Sequence, residues 1–133
     1  MLLNVRLVLC AFALLLAPAP ASSDEGTDGF DGFCREWMQK LEARERANLA
    51  SAKFSVLGAE FVAEYTGYAK EWVRCESRVK KAGKPGVGVL VYYEIRYRRA
   101  GADPGTARAA EPSIVERLEV TEVFRYDGRR WAY

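Results

Sequence analysis

The chain of 133 residues contains no histidine, and that absence alone excludes a large part of enzyme chemistry. Serine and cysteine nucleophiles that depend on an imidazole base are ruled out, as are zinc sites built on histidine. No Gly-x-Ser-x-Gly elbow occurs. A phosphate-cradling loop is missing too, because Gly83, Gly86 and Gly88 surround Pro85 instead of opening a helix. Asn4 and Asn48 both lie outside any Asn-x-Ser/Thr context. Charge of one sign is scarce as a surplus: 20 basic against 18 acidic residues give +2, which provides no electrostatic hold on nucleic acid.

Long hydrophobic runs are limited to Leu7–Ala17, well short of the ~20 residues that cross a bilayer. With Arg6 before it and Ala19-Pro20-Ala21 after it, this run reads as a cleaved signal peptide, residues 1–21. Removing 21 of 133 residues leaves 112, enough for one modest core. The formal charge then falls from +2 to +1, because Arg6 leaves and no acid does. The chain is expected to be secreted or periplasmic, with no stable membrane anchor after cleavage. Of three cysteines, Cys10 departs with the signal. Cys34 and Cys75 remain, an even number in an exported chain, and predict one disulfide. A metal site is the poorer reading, since two thiolates with no histidine and no third cysteine make a weak zinc shell.

Ser22–Gly32 is acidic, glycine-rich and too poor in apolar surface to fold, so a disordered leader is expected over 22–32, with Asp31 as the cap of a helix beginning at Phe33. A single domain then occupies 33–133. Phe33–Phe54 reads as that helix: Phe33, Cys34, Trp37, Met38, Leu41 and Leu49 make an apolar stripe that Arg44 and Glu45 interrupt. Glu36/Lys40 and Glu42/Arg46 sit at i,i+4 on the other face.

Val87–Tyr97 alternates with a period of two and is the strand around which the rest is organised, its odd positions expected inward. Alternation also predicts strands over about Glu60–Thr66 and Glu71–Lys80, bent near Gly67, or one long bent strand in their place. Cys75 shares the inward parity of Val73 and Val79, which brings it to a helix-facing Cys34. Lys80–Gly86 is a turn by composition, and Arg98–Pro112 a long small-residue loop. Ile114–Tyr126 has even positions inward, and Asp127-Gly128 signals a two-residue hairpin that sets Phe124 opposite Trp131. The fold class is α+β, one N-terminal helix packed on a curved antiparallel sheet of four to five strands.

That order, with the closing segment Val120–Tyr133, resembles the cystatin/monellin architecture and is similar to a reduced member of the cone-shaped nuclear-transport-factor-like group. The resemblance covers about residues 33–133 and is architectural. The cystatin signature Gln-x-Val-x-Gly is not matched, because the one glutamine, Gln39, falls inside the helix. Protease inhibition is therefore not implied, and fold alone licenses no activity.

Two constellations carry candidate chemistry. Glu71, Glu116 and Glu122 have inward parity, and a core-facing carboxylate can serve as a general acid or base. On the expected outward row, Tyr92, Glu94, Arg96 and Arg98 combine the tyrosine and arginine that interfaces favour; their expected cross-strand neighbours are Arg117, Glu119, Thr121 and Arg125. The sequence therefore predicts a small exported binding module for a protein partner, using that row, the Lys80–Gly86 turn or the Arg98–Pro112 loop. A small enzyme or ligand binder using the inward glutamates is the alternative. No cofactor, metal or nucleic acid is expected.

Overall fold

The computed structural model describes residues 29–79 and 83–133. The expected signal peptide, most of the leader, and Lys80–Ala82 of the expected turn lie outside the described residues. Helix α1 spans Phe30–Ser51 and is followed by β1 (Phe54–Leu57), β2 (Glu60–Tyr68), β3 (Arg74–Arg78) and β4 (Gly86–Gly101). A short helix α2 (Pro104–Ala109) then leads into β5 (Ser113–Tyr126) and β6 (Trp131–Ala132). All pairings are antiparallel, in the order β1-β2-β4-β5-β6. β3 continues beyond β2 along the same side of β4, facing Val87–Val91 where β2 faces Glu94–Gly101. The sheet curls into a half-barrel around α1.

The helix begins three residues earlier than expected, at Phe30, because Phe30 extends the apolar stripe: Phe30, Cys34 and Leu41 are all buried. Asp31 is therefore not the cap but a first-turn residue, where its charge complements the helix dipole. Gly29, at φ 61°, takes the capping position. At the other end the helix stops at Ser51, and Phe54 belongs to β1, a strand the helical spacing concealed. Only Gly58 has positive φ in the β1–β2 turn, as a type II′ hairpin requires.

The disulfide forms as expected between Cys34 and Cys75, tying α1 to β3. Inward parity on the first half of β4 is the reverse of that expected. Leu90 and Tyr92 face the helix, and Gly88 lies under the Phe30 ring. Both sets of positions on this strand are apolar, so alternation fixes the faces without choosing between them. Packing of Phe30 on Gly88 makes the choice. Further along, Ile95 and Tyr97 are the more enclosed positions, with Tyr97 stacked on Tyr65 at 5.3 Å.

Three further expectations are corrected. Glu71–Lys80 is a strand only over Arg74–Arg78; residues 69–73 form a bend that still donates from the Ala69 and Val73 amides to β4. Arg98–Pro112 is not a long loop, because β4 runs to Gly101 and α2 comes next, capped by Asp103 accepting from the Thr106 amide. Asp127-Gly128 opens a four-residue loop, not a two-residue one, and Tyr126 pairs with Trp131. Asp127 Oδ1 accepts from the amides of Arg129 and Arg130 at 2.8 and 2.9 Å, which closes the longer loop from within.

Candidate functional site

Three strands supply a regular grid. On the helix side, Cys75, Leu90 and Glu122 lie in line across β3, β4 and β5, as do Ser77, Gly88 and Phe124. The opposite side carries the rows Arg78–Val87–Arg125, Glu76–Val89–Val123 and Arg74–Val91–Thr121. All the expected site residues except Glu71 lie on this grid or its continuation along β4 and β5.

Of the three glutamates, Glu122 alone faces the helix-side core. Its Oε1 accepts from the Tyr92 hydroxyl at 3.0 Å. Burial, and then this bond to a carboxylate, push the Tyr92 phenol well above its ordinary value. The Trp37 indole N–H opposes that rise, although Nε1 is itself buried without a partner of good hydrogen-bond geometry. Tyr133 adds a second phenol beside Glu122, and its ring stacks on Trp37 at 5.8 Å. Glu116 and Glu71 are exposed, against the inward parity expected. Glu71 falls in the bend after β2, where strand alternation no longer applies. Glu116 lies opposite Arg96, next to a bulge at Val115 that shifts the pairing from Arg96–Glu116 to Tyr97–Ile114.

The expected interaction row also separates. Tyr92 is not outward; it is 3% exposed and belongs to the core. The residues opposite this row on β5 are Val120, Leu118, Glu116 and Ser113, not the charged set expected. Arg96 and Arg98 are neutralised within the fold. Arg98 Nε bonds Glu64 at 2.8 Å, and Arg96 reaches Glu116 at 3.3 Å and Glu64 at 3.9 Å. Two guanidiniums and two carboxylates thus satisfy one another on the surface, which leaves Glu94 as a half-buried neighbour of Tyr68.

A larger recess lies on the sheet side that α1 leaves bare. It measures about 920 Å³, with Val87 and Val89 at its floor and Arg74, Arg78, Lys84 and Glu76 around it. Val123, directly opposite Val89, extends the apolar floor, and Arg125, opposite Val87, extends the basic rim. Val87 and Val123 are 46% and 56% exposed, high for valines in a strand interior. Arg74 and Glu76 face each other at 4.0 Å, so the rim retains a net positive charge from Arg78, Lys84 and Arg125. Sequence alternation contains this feature in Val87 and Val89, but assigns them, with Val91, to the core, where only Val91 of the three is in fact buried.

A second groove of about 570 Å³ separates α1 from the bend after β2, lined by Met38, Tyr68, Trp72 and Tyr97. Glu45 closes one wall, its Oε2 accepting from the Tyr68 amide at 3.0 Å. Neither groove is lined by Glu71, Glu116 or Glu122. Among the described residues, no group of three or more Cys, Asp or Glu side chains is arranged to hold a metal ion. No helix among them is long and apolar enough to cross a membrane. No family model, curated protein or solved structure matches this chain.

Proposed function

We propose that this protein is an exported binding module whose partner is another protein, held on the bare face of β3, β4 and β5. The observation that carries this reading is the cluster of Val87, Val89 and Val123, apolar and open, set inside the basic rim of Arg78, Lys84 and Arg125. Apolar floor and basic rim together fit an extended segment presenting apolar side chains to the sheet and carboxylates to its border. Export is supported by the Cys34–Cys75 disulfide, which belongs to oxidising compartments, and by the signal-like start of the sequence. The Lys80–Gly86 turn contributes through Lys84 at the rim. Arg96 and Arg98 are left out, because their charge is already satisfied by Glu64 and Glu116.

The alternative, a small enzyme or ligand binder using inward glutamates, is reduced to Glu122. That carboxylate already holds the Tyr92 hydroxyl and lines neither groove. A photo-crosslinking residue placed at Val123 in the native host tests the choice. It is expected to capture one discrete partner, lost when Arg78→Glu is added, while the same probe at Glu42 on α1 captures none. Equal capture at both positions, or capture indifferent to Arg78→Glu in a normally folded protein, rules the binding face out.

A further inference from the structure

A smaller pocket of about 280 Å³ lies where the end of α1, β1 and β2 meet α2, away from the bare sheet face. Its polar wall is made by Arg99, Arg108 and Tyr65, and its apolar wall by Phe54, Ala52 and Ala63. The two guanidiniums reach it from different elements. Arg99 projects from β4 and donates from Nη1 to the Arg108 carbonyl at 2.8 Å, while its Nε is buried without a partner. Arg108, in the last turn of α2, sits with its guanidinium carbon 5.1 Å from the Phe54 ring centroid. Neither arginine forms an ion pair with a carboxylate among the described residues, in contrast to Arg96 and Arg98.

Two guanidiniums gathered at one opening with no carboxylate between them form an arrangement suited to an anion. The carboxylates nearby do not supply it. Glu45 is engaged with the Tyr68 amide, and Glu111 acts on Tyr65 without pairing to either arginine. Tyr65 is buried with its phenol held neutral, and because Arg99 approaches it as a donor, its own hydroxyl proton remains for an anion. Guanidinium forks match carboxylate geometry, and the Phe54, Ala52 and Ala63 wall favours an attached hydrocarbon over water. We propose that this pocket binds a small carboxylate carrying a short apolar tail, with Arg99 and Arg108 on the carboxylate and Phe54 against the tail.

The test is an amide chemical-shift titration of the full chain with three probes: butyrate, butyramide and inorganic phosphate. Butyrate is expected to give saturable shifts at Phe54, Ala63 and Arg99, and butyramide none. Because Arg99 also holds the end of α2, the variant of choice is Arg108→Gln, expected to weaken butyrate about ten-fold or more. Arg117→Gln removes the same charge beside Tyr93 and is expected to leave the affinity unchanged. Butyramide binding as well as butyrate overturns the anion site, and so does equal weakening by both variants. Phosphate binding as tightly as butyrate overturns the role given to the apolar wall.

Discussion

Single side chains in this core are placed so that their neutral forms are favoured. Tyr92, Tyr65 and Tyr97 each have a phenol pushed above the ordinary value of 10.0, burial being the largest cause in all three. Above pH 10 the unfolded chain releases protons that the folded chain retains, so the unfolded state binds fewer. Stability is therefore complete below that pH and falls as pH rises past it. Urea unfolding followed between about pH 8 and 11 should show the midpoint fall at the alkaline end; a flat midpoint would contradict the assignment. Glu122→Gln keeps an acceptor for the Tyr92 hydroxyl but removes the negative charge. Phenolate absorbance of that variant is expected to rise at lower pH than in the parent. Parity in the sequence finds Glu122 because it shares the alternation of Phe124 and Tyr126, both buried. The same parity places Glu116 on that face as well, but there the face is uncovered, neighbouring Leu118 being 50% exposed, and alternation does not say where the helix ends its cover.

Among the elements, α1 shows how an apolar stripe can continue in polar residues. Phe30, Cys34, Trp37 and Leu41 pack on the sheet, and the same side of the helix goes on to Glu45 and Asn48. β1 covers β2 only as far as Ala63, so the β2 edge beyond it has backbone groups to satisfy. Glu45 accepts from the Tyr68 amide and Asn48 donates to the Thr66 carbonyl at 2.9 Å, so the helix takes the place of the missing strand. In the sequence Glu45 reads as an interruption, because hydrophobic spacing counts apolar contacts and is blind to a helix capping a sheet edge. Glu45→Ala is expected to cost about 1–3 kcal/mol, the penalty for a backbone donor left unpaired, measured by urea unfolding. A loss no larger than that of an exposed control such as Glu42→Ala would show that water replaces the carboxylate. Gly88→Ala probes the other end of the helix, where an added methyl meets the buried Phe30 ring, itself 4.4 Å from Trp131. About 1–3 kcal/mol of destabilisation is expected there, with a lowered melting temperature.

For the molecule as a whole, the layer plan was legible because it depends on composition and alternation alone: one long amphipathic segment followed by strands leaves a helix only a sheet to cover. The disulfide was legible for the same reason, through two cysteines on core-facing positions. Strand count, the β5–β6 loop and the bare valine face were not, since each depends on which of two apolar faces the helix selects and on pairing that local pattern does not encode. The disulfide spans 41 residues and encloses most of α1, all of β1 and β2, and the bend before β3. Among the described residues β3 pairs only with β4, so Cys75 anchors a five-residue strand with one ladder neighbour. On the chain-entropy model a loop of that length contributes about 4 kcal/mol, a large share of the roughly 5–15 kcal/mol typical of a domain. Replacing both cysteines by alanine is expected to lower unfolding stability by about 3–4 kcal/mol. The loss should be uneven in space. Hydrogen exchange at Arg74–Arg78 is expected to quicken more than at the β4–β5 ladder, because β3 loses its tether while β4 and β5 keep each other. Uniform acceleration across the sheet would instead mean that the bridge acts only on the unfolded chain, and that β3 is held by its packing against Leu90 and α1.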